Sequence, residues 1–218
     1  MAFSPIKDND LPSFPGPPQK NDALFLSGAG APKPFVFTYT QKHVEVVYGP
    51  SCKPKAEIYL DKCTSDGVMV SKRRGGGGTV VLSPGMVITI VVGHRKKNEG
   101  ALQIFSRIHD GMIALLDPDT SLNIQKAGIS DLMINGRKIS GSSLYMQQSP
   151  FLYYYQSSFM VTSDIFLIAK YLAHPSREPL YRRRRPHDVF CTTLSREGHD
   201  LSPEAIGRLF AEGLSKYL

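Results

Sequence analysis

Asp131-Leu132-Met133-Ile134-Asn135-Gly136-Arg137-Lys138-Ile139-Ser140-Gly141-Ser142-Ser143 is the stretch that sets the architecture. Asn-Gly is the preferred central pair of a type I′ turn, because both residues take positive φ there. The pair therefore joins residues 131–134 to residues 137–140 as a tight antiparallel hairpin. Along an extended strand after that turn, Lys138 and Ser140 share one face, and Arg137 and Ile139 the other. A lysine beside small hydroxyl residues and a glycine allows close approach of a bound anion. The plain alternative is an exposed hairpin lysine.

The flanking sequence supplies more strands than helices. Residues 68–72 and 152–161 have strand character, and residues 79–82 and 86–92 are apolar on both faces, as in a buried sheet. Residues 35–39 and 44–48 are short β-branched and aromatic runs, expected to be neighbouring strands. Leu102, Phe105, Ile108, Met112 and Leu115 recur at intervals of three or four, predicting an amphipathic helix over 98–116. Residues 163–172 fit a short helix, and 55–63 is ambiguous between a short helix and irregular chain. Ser202 as N-cap, Pro203 and Glu204 open a last helix that runs to the C-terminus. Residues 189–194 look strand-like, with Cys191 as a small buried apolar side chain. Without regular βαβ alternation, the expected class is α+β: a mixed, largely antiparallel β-sheet flanked by helices. Residues 1–34, rich in Pro and Gly, read as an irregular arm ahead of one domain over 35–218.

Composition narrows the function classes. With 41% hydrophobic and 21% charged residues among 218, disorder is excluded as the main state. The longest apolar stretch, residues 86–92, is far below the roughly 20 residues of a membrane span. The N-terminus lacks a signal-peptide pattern, and Cys52, Cys63 and Cys191 fit neither a disulfide framework nor a zinc knuckle, so a cytoplasmic location is expected. A net charge of +7 suits an anionic partner: a nucleotide, a nucleic acid or an acidic protein. No nucleic-acid motif accompanies it, and the six histidines show no paired metal-ligand spacing.

Two basic segments are candidates for anion binding. In Lys72-Arg73-Arg74-Gly75-Gly76-Gly77-Gly78-Thr79, backbone amides freed of Cβ atoms can close on anionic oxygens, with arginines beside them as bidentate donors. A solvated linker between strands is the other reading. Arg182–Arg185, followed by Pro186 and His187, fits contacts to phosphates or to an acidic protein, or a solvated loop.

Taken together, the two motifs resemble the lipoate–protein ligase family. Residues 73–80 are similar to its Arg-Arg-x-x-Gly-Gly-Gly-x-Val pattern, and Asn135-Gly136-Arg137-Lys138-Ile139-Ser140-Gly141-Ser142 to its Gly-Arg-Lys-(Ile/Val)-Ser-Gly-Ser signature. Tyr155-Gln156-Ser157-Ser158-Phe159-Met160 stands where the family usually has His-His-Gly-Thr-Leu-Leu, followed by Asp164, Tyr171 and Leu172. The resemblance implies the catalytic fold shared with biotin protein ligases and octanoyltransferases. It also implies a reaction: lipoate and ATP form lipoyl-AMP, and the acyl group passes to a lysine on a lipoyl domain. On that basis Lys138 is the catalytic residue, holding the carboxylate and α-phosphate oxygens. Gly76, Gly77, Gly78, Thr79 and Val80 wrap the acyl-adenylate, Arg73 faces its phosphate or carboxylate, and Asp131 binds the nucleotide or its metal. Ser140, Gly141, Ser142, Gln156 and Ser157 complete the ligand site. ATP brings Mg2+ with it, lipoate is the substrate, and the protein itself holds no metal site. The implied partner is an acidic lipoyl-domain acceptor, with neither nucleic acid nor membrane involved.

Several positions depart from the family pattern. Leu82 replaces a usual His, Ser130 a usual Asn, and Gln156 and Ser157 a His-Gly pair. The proline-rich arm stands in place of the family's N-terminal helix, and the small C-terminal domain of many ligases is missing, so a separate accessory subunit is expected. Two alternatives stay open. One is an octanoyl or lipoyl transferase working through a cysteine thioester, although Asn123 and its neighbours supply no cysteine where related transferases have one. The other is a non-catalytic paralogue that binds lipoate or a lipoyl protein.

Overall fold

The computed structural model describes residues 30, 33–118, 121–175 and 177–218. Nearly all of the arm assigned to residues 1–34 lies outside these residues. In chain order the elements are β1 (Phe35–Thr40), β2 (Glu45–Tyr48), α1 (Pro54–Glu57), α2 (Leu60–Ser65), β3 (Met69–Lys72), β4 (Val80–Leu82) and β5 (Met86–His94). There follow α3 (Ala101–Leu116), β6 (Gln125–Ala127), β7 (Asp131–Ile134), β8 (Arg137–Gln147) and β9 (Leu152–Met160). The last helices are α4 (Phe166–Tyr171), α5 (His187–Phe190) and α6 (Pro203–Gly213).

A six-stranded sheet runs β1-β5-β9-β8-β7-β6, every neighbouring pair antiparallel. A second sheet, β3-β2-β4, combines one parallel and one antiparallel pair. The class is α+β with a mixed, largely antiparallel sheet flanked by helices. β5 explains why residues 86–92 are apolar on both faces. Val87 and Val91 pack with Ile104, Ile108 and Phe210 of α3 and α6. Met86, Ile88, Ile90 and Val92 face the second sheet and α4. The large sheet is thus sandwiched, and its second face carries the candidate site. No helix among the described residues is long and apolar enough to cross a membrane.

Several local expectations change. β1 and β2 are not neighbours: β1 pairs with β5, while β2 belongs to the second sheet. The link between them carries no turn pair that reverses the chain. Instead Gln41, 2% exposed, donates its N–H to Met86 O at 2.9 Å and passes the chain across. The ambiguous 55–63 segment is two short helices, parted where Ile58 bridges Leu172 and Tyr59 N–H bonds Tyr171 O. Leu102 is 62% exposed on the first turn of α3 rather than part of its apolar stripe. β8 continues through Gly141-Ser142-Ser143, poor strand formers on their own, because β9 pairs with it from Ser140 to Gln147. Residues 189–194 do not form a strand. Phe190 ends α5, and only Cys191 makes a bridge, to Lys138. Ser202 does cap α6, its Oγ accepting from Ala205 N–H at 3.1 Å.

The hairpin turn is as expected, with Asn135 at φ 49° and Gly136 at φ 71°. Glu197 clamps it, accepting from Arg137 at 2.6 Å, Thr192 Oγ1 at 2.6 Å and Asn135 Nδ2 at 2.9 Å. Burial alone pushes the Glu197 carboxyl up, but the hydrogen bonds and the Arg137 charge outweigh it and leave the pKa below 4.5. A depressed carboxyl pKa stabilises the fold above the unfolded value and loses that stabilisation as pH falls through the folded one. Glu197→Gln is therefore expected to cost about 2 kcal/mol at neutral pH. In urea titrations the gap from wild type narrows as pH drops below 4.5. A gap that persists unchanged in acid contradicts this.

Candidate active site

The glycine loop between β3 and β4 is organised from inside by Arg73, 8% exposed. Its guanidinium donates to Val47 O at 3.3 Å, Gly76 O at 3.1 Å and Gly78 O at 2.6 Å. Each trans peptide points its N–H opposite to its C=O, so the amides of Gly77 and Thr79 face away from Arg73. Gly77 takes φ 104°, a conformation side chains rarely adopt. Gly76 N–H bonds Leu144 O at 3.3 Å, docking the loop on β8. Thr79 Oγ1 donates to Glu57 Oε2 at 2.6 Å. Burial raises the Glu57 carboxyl, but bonds from Thr79 and Lys53 N–H hold its pKa below the usual value.

Across the cavity stands Lys138. A β-bulge between Leu132 and Met133 shifts the register, pairing Asp131 with Gly141, Leu132 with Ser140 and Met133 with Lys138. One residue, Ile139, is thereby left over, and strand alternation is re-phased. Lys138 shares its face with Gly141 rather than Ser140. A Cβ on Gly141 would stand 2.7 Å from Lys138 Nζ, so only glycine leaves room for the ammonium. Ser140, 2% exposed, turns its Oγ to Ser158 O at 3.0 Å.

The ammonium pairs with Asp131 Oδ1 at 2.9 Å, and Tyr181 O–H donates to Asp131 Oδ2 at 2.6 Å. Burial first, then the Asp131 charge, push the Tyr181 phenol pKa up, so it remains a donor. Thr192 N–H bonds Lys138 O at 2.9 Å and fixes the lysine backbone from the other side.

Lys138 and the glycine loop line one cavity of about 540 Å³. Arg73, Gly77, Gly78, Thr79 and Val80 contribute from the loop, and Asp131, Gly141, Ser142, Gln156 and Ser157 from the large sheet. Gly76 and Ser140 are outside the lining, the first docked on β8, the second turned away by the bulge. Arg73 and Asp131 line the cavity with polar atoms that already have partners within the chain. Arg73 donates from Nη2 to the loop carbonyls of Gly76 and Gly78 and from Nη1 to Val47 O of β2, and Asp131 has both oxygens engaged by Lys138 and Tyr181. The deeper wall is apolar, with Leu82, Met86, Ile88, Met160, Ile168 and Leu172. No group of three His, Cys, Asp or Glu able to hold a metal occurs among the described residues.

Residues of the segments 173–175 and 177–191 close the cavity, and the sequence did not reveal most of this wall. Arg182, 5% exposed, donates to Arg185 O at 3.1 Å, contacts His187 Nδ1 at 3.3 Å and lies over the Phe190 ring. Arg185 bonds Gly136 O at 2.9 Å and Tyr181 O at 3.0 Å, fastening this segment to the hairpin. Two of the four clustered arginines are thus internal staples. The alternation of inward and outward arginines has no periodicity that a linear reading detects. Cys191 is buried as expected, yet it also lies on the cavity wall beside Lys138. Burial pushes its thiol up despite the nearby Lys138 and Arg182 charges, opposite to an activated nucleophile.

The chain belongs to the lipoyl protein ligase A/B catalytic domain family, whose model matches residues 21–215. No curated protein matches it in sequence. Among solved structures it is similar to a bi-partite lipoate protein ligase from Thermoplasma acidophilum, studied with its E2 lipoyl domain. The TM-score is 0.76 at 18% identity, covering 90% of this chain and 76% of that one. A lipoate-protein ligase A bound with ATP gives 0.74 at 19% identity over 90% and 77%. P. falciparum LipL1 in complex with lipoate gives 0.67 at 17% identity, over 85% of this chain and 47% of that one.

The Gly141 contact is testable. Because the atom in the way is the end of a flexible lysine, Gly141→Ala is expected to fold with a near-native melting temperature while displacing the ammonium. Ligand-dependent turnover falls about tenfold or more. Unchanged turnover contradicts the proposed packing.

Proposed function

We propose that this chain is an ATP-dependent lipoate–protein ligase, acting on lipoate or a similar medium-chain acid. The observation that carries this reading is the convergence of Lys138 and the glycine loop on one cavity whose deep wall is apolar. The apolar wall suits an acyl chain, and the cationic end suits its carboxylate and a phosphate. Relatives of the same fold bound to lipoate and to ATP support the assignment.

In the first step a carboxylate oxygen attacks the α-phosphorus of ATP. The bond to the β-phosphate bridging oxygen breaks, pyrophosphate leaves, and acyl-AMP forms. Charge moves between carboxylate and α-phosphate oxygens, and Lys138 stabilises it from a largely water-excluded wall. Amides of the glycine loop cradle the phosphate, with Arg73 holding the loop in shape from behind. Magnesium enters with the nucleotide phosphates. In the second step an acceptor lysine amine attacks the acyl carbonyl, an amide forms, and AMP leaves with the proton balance met by the amine.

The acceptor is a lipoyl domain with an acidic surface. Arg177, Arg183 and Arg184 are exposed and have no ion pair among the described residues, and Leu180 beside them is 97% exposed. This rim adjoins the cavity and offers cations flanking an apolar contact. The T. acidophilum ligase is bi-partite; a separate accessory chain here is tested by comparing acyl-AMP formation with and without candidate partner chains.

Pyrophosphate release on mixing the protein with lipoate and ATP tests the assignment; no release makes it a binding paralogue, and acyl transfer without ATP makes it a transferase. Lys138→Ala is expected to lower the release rate by about a hundredfold or more. Arg183→Glu with Arg184→Glu is expected to raise the KM for the lipoyl domain about tenfold while leaving pyrophosphate release intact. An unchanged KM removes the rim from the docking surface.

A further inference from the structure

On the opposite face of the sheet from the cavity, His109 of α3 makes a polar contact inside an otherwise apolar core. It is 2% exposed, with its ring 6.0 Å from those of both Phe105 and Tyr155. Its Nε2 is 3.1 Å from Ser142 Oγ. That hydroxyl donates to Ser130 O at 2.7 Å, and Ser142 N–H donates to the same carbonyl at 2.8 Å. With its proton committed to Ser130, the Ser142 hydroxyl can only accept from the imidazole, so Nε2 carries the hydrogen. Burial lowers the His109 pKa to about 4, and the ring is neutral at working pH.

The Ser130 peptide leads directly into Asp131, the carboxylate that holds Lys138 at 2.9 Å. Gly141, next to Ser142, is the strand partner of Asp131 and the residue over which the lysine passes. His109 is therefore the origin of a chain of hydrogen bonds through Ser142 and Ser130 to the Asp131–Lys138 pair.

We propose that His109 is a positioning residue for the ligase reaction: through Ser142 and the Ser130 carbonyl it fixes the Asp131 backbone, and with it the place of the Lys138 ammonium. The proposal rests on the ligase reading, because it assigns His109 an effect on the chemical step. It concerns a residue outside the cavity lining, and it acts on geometry rather than on charge.

The test compares wild type, His109→Leu, His109→Gln and Ser142→Ala. Glutamine places an N–H donor near the position of Nε2, while leucine keeps only bulk. Pyrophosphate release by wild type is measured first, and its absence overturns the ligase reading whatever the variants do. His109→Leu is expected to lower kcat about thirtyfold, with the KM for the acid little changed. His109→Gln recovers most of that loss, and Ser142→Ala reproduces the leucine result should the leucine variant fail to fold. A second readout needs no activity: labelling of Lys138 by an amine-acylating reagent, followed by peptide mass spectrometry. A Lys138 side chain no longer held against Asp131 is more accessible to the reagent, and labelling is expected to rise about fivefold in His109→Leu and not in His109→Gln. Equal losses in the glutamine and leucine variants, or unaltered Lys138 labelling, reduce His109 to core packing and overturn the proposal.

Discussion

The ion pair between Lys138 and Asp131 is the constraint around which the molecule is arranged. Removing two charges from water is costly, and their attraction offsets that cost only when geometry is good and the remaining valences are met. Here the second Asp131 oxygen takes the Tyr181 hydroxyl, and the lysine backbone is bonded by Thr192. Each partner comes from a different part of the chain: the β7–β8 hairpin, the arginine-rich segment and the turn after α5. The pair thus ties local turn chemistry to the tertiary fold. It also keeps an ammonium aimed at a cavity where an incoming carboxylate or phosphate can share it.

The glycine loop is the complementary half. Arg73 directs its charge inward, to carbonyls, and so holds the loop in shape. The two sides of the cavity thus differ, one presenting an ammonium held by Asp131 and the other a loop of backbone amides. Between them the wall from Leu82 to Leu172 is apolar, which suits an occupant that carries hydrocarbon as well as charge.

Much of this was legible in the chain. The Asn135-Gly136 pair specified its hairpin because positive φ at both residues is a local requirement. The four glycines and Lys138 stood out because their chemistry is unusual between core strands, and Gly77, Gly78 and Lys138 do line one cavity. What stayed hidden depends on partners far away in sequence. The bulge at Ile139 moved Ser140 off the cavity, and nothing in residues 137–142 marks that register shift. β1 and β2 parted because Gln41 bonds Met86, forty-five residues on, and not the next strand. Nothing in residues 98–116 marks His109, since its partner Ser142 is distant in the chain.

A crystal structure of the protein with a non-hydrolysable lipoyl-adenylate analogue tests the central claim most directly. The account predicts the acyl chain against Leu82, Met86 and Leu172, the phosphate oxygens on the amides beside Gly77 and Gly78, and Lys138 Nζ within hydrogen-bond reach of the acyl phosphate. An analogue bound elsewhere, or one in the cavity with Lys138 making no contact to it, contradicts the account.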